Sequence, residues 1–191
     1  INLLIFASGM YFLMLLNYKE AITTLGIQQE YLLGFNAFIY LGLTRVVDLG
    51  TGINTEIIGT STYWRFQLVS GAILLFLMLP LTYLLAKKYD ILGPAIAQFI
   101  SITIYNAIRI IFLWKKFRLF PFTWKSLYAV VIGLVAYTIA YFTCNQLHSF
   151  AGLLVRSILF LVLFGTATMY MKLTPDLKPV LDTIKRRLKI R

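Results

Sequence analysis

Charged residues are scarce in this sequence, and so are the residues on which most catalytic and metal sites depend. Only 13% of the 191 residues are charged, and the chain has one cysteine and one histidine. A soluble domain has about 25% charged residues, so the composition argues against a water-soluble globular protein. The single cysteine excludes an internal disulfide, and the single histidine excludes a histidine-based metal cluster. We therefore expect neither a metal nor another cofactor.

The few acidic residues are poorly placed for acid–base catalysis. They lie in connections, near the ends of apolar runs or in the C-terminal tail: Glu20, Glu30, Asp48, Glu56, Asp90, Asp176 and Asp182. General acid–base chemistry needs paired carboxylates or a histidine within reach of the reacting group. The sequence also has no phosphate-binding loop, no GxGxxG motif and no GxSxG motif. We expect that the chain is not an enzyme.

Apolar residues are abundant and occur in long runs. Hydrophobic residues make up 60% of the chain, and its mean hydropathy is +0.81. A membrane-spanning helix needs about 20 residues, and the sequence offers candidate spans at residues 1–17, 34–48, 67–86, 93–114, 127–146 and 151–171. The predicted fold class is therefore all-α, a polytopic membrane helical bundle of about six transmembrane helices. It occupies residues 1–173 and precedes a polar tail at 174–191.

The distribution of basic residues predicts the orientation of the chain. Lys and Arg number 18 against seven Asp and Glu, for a net charge of +11. With six spans both ends share one side of the membrane, and fourteen of the basic residues fall on that side. Positive loops mark the cytoplasmic face, so both ends are predicted to be cytoplasmic. The segment Trp114–Trp124 mixes aromatic and basic residues; between two spans this indicates an aromatic belt rather than a nucleic-acid site.

The C-terminal tail predicts a helix that lies on the membrane surface. Thr174 and Pro175 are typical of a helix start. Apolar residues then recur on one face between Leu177 and Leu188, with lysine and arginine away from it. Such a helix contacts membrane lipids with its apolar face and anionic headgroups with its basic face. It anchors the C-terminus or docks a partner, and both interpretations are open.

Polar residues within the predicted spans define a candidate cavity. Four of them recur at intervals of three, four and four residues along the fourth span and so form one stripe. The stripe lines a wet cavity, or it makes helix–helix hydrogen bonds while its arginine reaches the cytoplasmic interface. With two residues of the second span, the candidate cavity comprises Asn36, Tyr40, Gln98, Ser101, Tyr105 and Arg109.

Three charged residues near span ends leave further alternatives open. Arg45 and Asp48 are three residues apart and are expected to pair along one helix, although a proton relay is the alternative. Arg156 lies inside the last predicted span. It either extends toward the external interface or pairs with a carboxylate on a helix outside this chain.

The connection after the second span is rich in glycine and small polar residues. It runs from Gly42 to Gln67 with the sequence GLTRVVDLGTGINTEIIGTSTYWRFQ. Glycines permit tight turns, and small polar side chains satisfy backbone groups at helix ends. The segment predicts a short hinge helix that moves during alternating access, or an ordinary tight connection. The candidate gate and hinge residues are Arg45, Asp48, Gly52, Asn54, Ser61 and Arg65.

This connection resembles the conserved loop of polysaccharide exporters in the multidrug/oligosaccharidyl-lipid/polysaccharide (MOP) exporter superfamily, which are flippases of lipid-linked oligosaccharides. The matching residues in the loop are Asp48, Gly52, Asn54, Ile57, Ile58, Ser61, Tyr63 and Arg65. The resemblance continues through the turn ILGPAIA at 91–97, Tyr105-Asn106, Arg109, Lys116-Phe117 and Pro121-Phe122. Pro94 and the Trp64 inserted between Tyr63 and Arg65 depart from the family pattern.

The resemblance implies a two-lobed, MATE-like bundle, of which this chain supplies part of the second lobe and two further helices. Because the chain opens inside an apolar run, we expect the remainder of its own polypeptide to be a partner. The implied function is flipping of a lipid-linked oligosaccharide in the bacterial inner membrane, for surface polysaccharide biosynthesis, including lipopolysaccharide. The polar stripe would border the cavity for the sugars, and arginine suits a diphosphate linker.

Two other functions compete with this expectation, and a third possibility is a scaffold subunit, which the polar stripe disfavours. A drug or cation antiporter of the same superfamily would be expected to carry a membrane-embedded acid, and the centres of these apolar runs have none. A membrane-bound glycan polymerase or acyltransferase would usually show a large external loop or an intramembrane histidine, whereas the connections here are short.

Overall fold

The computed structural model describes residues 1–28, 30–144 and 150–173, and the regular structure in these ranges is entirely α-helical. The long helices are α1 (Asn2–Thr24), α3 (Phe35–Gly50), α5 (Trp64–Tyr89), α6 (Leu92–Phe117), α7 (Trp124–Thr143) and α8 (Phe150–Tyr170). Two short helices lie between them, α2 (Glu30–Leu33) and α4 (Asn54–Gly59). The predicted all-α helical bundle is confirmed.

Each of the six predicted spans coincides with one long helix, but fewer helices have the length and hydropathy of a membrane span. Within the described residues, four meet both requirements, namely α5, α6, α7 and α8. Helix α3 has only 16 residues, fewer than the roughly 20 that cross a bilayer. Helix α1 includes the polar run Asn17–Glu20, which lowers its hydropathy. By length and hydropathy, four of the six predicted spans therefore qualify as membrane-spanning among the described residues.

Two predictions concern parts of the chain outside the described residues. The surface helix predicted for 174–191 cannot be compared with the structure, and neither can the last two residues of the predicted span 127–146. His148 also falls outside the described ranges.

The long helices pack in a row that is thickest at one end. Helix α1 contacts α3, α7 and α8; α3 then packs on α6, and α6 on α5. The apolar core lies among α1, α7 and α8, where Tyr11, Phe12 and Leu16 meet Phe160 and Phe164. Helix α5 lies at the other end of the row, and only 6% of its most apolar stretch of 18 residues is buried.

Aromatic rings pack directly against glycines where α1 crosses its neighbours. A Cβ on Gly133 of α7 would lie 2.6 Å from the Phe12 ring, and one on Gly9 of α1 would lie 2.8 Å from the Phe164 ring. A Cβ on Gly42 of α3 would overlap the Tyr11 ring. Small residues at helix contacts bring membrane helices close together, so that dispersion forces stabilise the pair. These glycines explain how α1 packs against three partners.

Helices α5 and α6 form a hairpin with almost no loop. Asp90 has a φ of +46° and reverses the chain, and α6 begins at Leu92. A Cβ on Gly93 would overlap the backbone carbonyl of Leu85, so the backbones of the two helices touch here. The chain thus reverses at Asp90–Ile91, just before most of the predicted turn segment 91–97, whose residues from Leu92 onward belong to α6. Gly93 is the residue that allows this close approach.

Candidate polar site between helices α3, α5 and α6

The end of α3 is tied to α6 by hydrogen bonds between polar side chains. Asn106 of α6 is 2% exposed, and its Nδ2 donates to Asp48 Oδ1 at 3.1 Å. The Thr51 hydroxyl donates to the Asp48 carbonyl oxygen at 2.8 Å and approaches Asn106 Oδ1 at 3.2 Å. An unpaired buried amide would cost about 1–3 kcal/mol, so these bonds fix how the two helices meet.

One turn further along α6, Arg109 is buried with neutral partners. Arg109 as a whole is only 2% exposed. Nη1 donates to the Tyr105 hydroxyl at 2.8 Å, and Nη2 donates to Gln67 Oε1 of α5 at 2.9 Å. The guanidinium carbon also lies 4.8 Å from the centre of the Tyr105 ring. Nε has no hydrogen-bond partner, and among the described residues no carboxylate pairs with this arginine.

Aromatic rings hold the start of α5 against the end of α6. Phe66 stacks on Phe112 with ring centres 3.8 Å apart, and Tyr63 meets Phe112 and Phe117 edge-on at 5.7 and 5.9 Å. Lys116 Nζ lies 5.4 Å from the Tyr63 ring centre. Because Gln67 directly follows Phe66, these aromatic contacts place its amide beside Arg109.

The predicted hinge region contains a short helix, α4, between two turns. Gly52 has a φ of +83° and supplies the first turn. Asn54 is 4% exposed, and its Nδ2 has no hydrogen-bond partner. Ser61 Oγ donates to the Ile58 carbonyl oxygen at 2.8 Å and accepts from the Tyr63 amide at 3.1 Å. The segment is thus a short helix between turns, and it packs on α5 and α6.

The arginines of the predicted gate do not pair with Asp48. Within the described residues, no ion pair joins Arg45 to Asp48, which corrects the expected pairing along α3. Asp48 instead accepts from Asn106, because that face of α3 packs against α6. Arg45 is exposed and borders a groove between α1 and α3. Arg65 is also exposed, with its guanidinium 5.7 Å from the Trp64 ring centre.

The other predicted cavity residues are dispersed along the same helices. Gln98 is half-buried and lines the groove that Arg45 borders. Ser101 is fully buried, and its Oγ has no hydrogen-bond partner. Tyr40 is half-buried, with its ring edge-on to Phe99 at 6.0 Å. Asn36 is exposed in the first turn of α3. The stripe on α6 therefore points to more than one surface.

A second polar cluster joins α1 to α8 at the opposite end of the bundle. Arg156 Nη1 lies 3.2 Å from Glu20 Oε2, and the side chains are 6% and 10% exposed. Arg156 Nη2 also donates to the Cys144 carbonyl oxygen at 3.0 Å. One turn away, Asn17 Nδ2 donates to Ser157 Oγ at 3.0 Å. Both expectations for Arg156 are corrected, since its carboxylate partner belongs to this chain.

Sequence reasoning overlooked Gln67 and Glu20 as partners of buried arginines. Gln67 is an amide at the start of an otherwise apolar run, and that isolation is the available signal. Glu20 and Arg156 carry opposite charges at the ends of two spans that reach the same side of the membrane. A search for opposite charges at equal depth would have suggested this pair.

Nothing in the described residues gathers enough ligands for a metal ion. No group of three or more His, Cys, Asp and Glu side chains is close enough there to hold one. Cys144 is buried, and its carbonyl oxygen is the acceptor that Arg156 uses.

Comparison with known proteins gives no relative. No protein-family model matches the chain, and neither a curated protein nor a solved structure matches it. The function must therefore be argued from the residues and their geometry.

Proposed function

We propose that this chain is part of a membrane transporter that flips a lipid-linked oligosaccharide, and that Arg109 binds the diphosphate of that substrate. The setting is a membrane protein, because four helices have the length and hydropathy to cross a bilayer. The positive-inside rule favours an orientation with both ends cytoplasmic, and the exporter resemblance implies the bacterial inner membrane. The resemblance of the segment from Gly42 to Gln67 to a polysaccharide-exporter loop supplies the substrate class.

The observation that carries the proposal is the set of neutral partners around Arg109. A buried arginine is usually paired with a carboxylate, because burying an isolated charge is costly. Here the partners are a tyrosine hydroxyl and a glutamine amide. Intramembrane arginines with no fixed counter-ion mark the paths of charged substrates. Arginine also matches phosphate oxygens with two parallel hydrogen bonds.

Access to Arg109 requires that the start of α5 moves away from α6, because Gln67 of α5 accepts a hydrogen bond from the guanidinium. Gln67 comes from α5, which packs mainly on α6 and α4 and leaves most of its surface uncovered. Asp48 and Asn106 hold α3 and α6 together independently of α5. In the proposed cycle α4 is the hinge about which the start of α5 moves away from α6. The substrate diphosphate then replaces Gln67 as the hydrogen-bond partner of the Arg109 guanidinium. This proposed gate keeps the predicted hinge residues Gly52, Asn54 and Ser61 and adds Gln67.

The test compares arginine variants in the full-length protein in cells that depend on it for surface polysaccharide. Arg109→Ala is expected to reduce surface polysaccharide at least tenfold, since a charge-assisted hydrogen bond contributes about 1.5–3 kcal/mol. Arg109→Lys keeps the charge and should retain partial function. Arg118→Asn is the matched control, because Arg118 is exposed at the end of the same helix and asparagine tolerates its φ of +55°.

Protein level and thermal stability in detergent are measured for every variant, so that loss of folding is distinguished from loss of transport. Normal surface polysaccharide in a stable Arg109→Ala protein would remove Arg109 from the proposed role. Ion-driven drug efflux without any glycan phenotype would reject the flippase function itself.

A further inference from the structure

A groove between α1 and α3 combines an apolar wall with one cationic edge. Its volume is about 570 Å³, within the range of about 300–1,000 Å³ that is typical of ligand pockets. Met10 and Met14 of α1 and Leu41 of α3 line it, and its polar side chains are Arg45, Gln98 and Tyr11, of which only Arg45 is charged. Met14 and Leu41 are 49% and 41% exposed, so the groove opens along the side of the bundle.

Arg45 brings an uncompensated charge to this groove. It is exposed, and within residues 1–28, 30–144 and 150–173 it has no hydrogen-bond or ion-pair partner. The nearest acid along the helix, Asp48, accepts from Asn106 on another face. Arg45 lies five residues before the end of α3 at Gly50, which is about 7.5 Å along the helix axis. A guanidinium beside the apolar walls of this groove needs an anion or water as its partner.

We propose that the groove binds one anionic phospholipid of the surrounding membrane, with its phosphate on Arg45 and an acyl chain along the methionines and Leu41. The Gln98 amide offers a further hydrogen bond to the headgroup. Charge complementarity selects this occupant, because an uncharged apolar segment would leave the guanidinium unpaired. Flexible methionine side chains suit an acyl chain of variable shape. The site is separate from Arg109 and does not depend on the proposed transport.

The test counts lipids that stay bound to the purified full chain, using native mass spectrometry after exchange into phosphatidylglycerol or phosphatidylcholine. We expect one phosphatidylglycerol to be retained most tightly, with phosphatidylcholine retained about tenfold more weakly. Arg45→Gln should weaken the retention of phosphatidylglycerol by a similar factor, and Arg45→Lys by less. Lys125→Gln is the control, since Lys125 is an exposed cation outside the groove.

A steric variant tests the acyl position separately from the charge. Leu41→Trp narrows the groove and should also release the tight lipid. Leu161→Trp adds the same bulk to an exposed position in a different groove, between α1 and α8, and should not. Equal retention of phosphatidylglycerol by Arg45→Gln and the unmodified chain would overturn the proposal. Equal effects of Leu41→Trp and Leu161→Trp would do the same, as would tight binding of inorganic phosphate alone or a cross-link from Leu41→Cys to a second copy.

Discussion

Removing one member of the Glu20–Arg156 pair is expected to be among the most damaging single changes outside the apolar core. The two charges are 3.2 Å apart, and their side chains are 10% and 6% exposed. At an effective dielectric constant of about 20, unit charges at that distance attract by about 5 kcal/mol. Desolvation offsets much of this attraction, but breaking a buried ion pair by removing one partner typically costs about 3–5 kcal/mol, because the remaining residue loses that contact.

The two single variants should differ, since Arg156 has a second acceptor. Arg156→Met leaves both the Glu20 carboxylate and the Cys144 carbonyl oxygen without the guanidinium. Glu20→Gln leaves Arg156 with the Cys144 carbonyl and a neutral amide. We therefore expect Arg156→Met to lower the free energy of unfolding by about 3–5 kcal/mol and Glu20→Gln to lower it by less.

The double variant decides whether the pair acts as a unit. Each single variant already breaks the contact between the two charges, so the combined loss should fall short of the sum by about 2–3 kcal/mol. The assay is unfolding of the purified chain in mixed micelles with added SDS, followed by circular dichroism. Lys125→Met, at an exposed cation, should change little. Strict additivity, or an Arg156→Met protein as stable as Lys125→Met, would refute the assigned coupling.

Two further predictions concern contacts of α6. Gly93→Ala should destabilise the protein by about 1–3 kcal/mol or more, because its Cβ would overlap the Leu85 backbone; unchanged SDS unfolding would show that α5 can shift freely. Asp48→Leu should cost about 1–3 kcal/mol by leaving Asn106 Nδ2 unpaired, whereas Asp48→Asn still offers an acceptor. The same unfolding assay compares these two variants, and equal stability would contradict the role given to the Asp48–Asn106 bond.

The sequence was sufficient to predict the long helices, because continuous apolar runs and their polar ends are local signals. All six predicted spans coincide with helices, although two of those helices lack the length or hydropathy of a membrane span. Helix α3 illustrates the reason. Its residues are apolar enough to form a helix within the bundle, yet a helix of 16 residues is short for a bilayer.

Side-chain partners were harder to predict because they depend on how helices pack. Arg45 and Asp48 have the spacing of a helical ion pair, but Asp48 faces α6 and Arg45 faces the groove with α1. Similarly, Gln98 and Arg109 lie on one stripe of α6 in projection. Over their eleven-residue separation α6 meets different neighbours, so Gln98 borders the α1–α3 groove while Arg109 contacts α5.

The hydrogen-bond and ion-pair partners of the two buried arginines distinguish a structural residue from a candidate binding residue. Arg156 has a carboxylate within 3.2 Å, so its charge is compensated and its role is to hold α8 against α1. Arg109 has only a hydroxyl and an amide as acceptors. Those groups hydrogen-bond the guanidinium without neutralising it, so an incoming anion that replaces them can pair with its charge. Arg45 likewise has no hydrogen-bond or ion-pair partner among the described residues. Binding in this chain is accordingly expected at its uncompensated arginines rather than at its ion pairs.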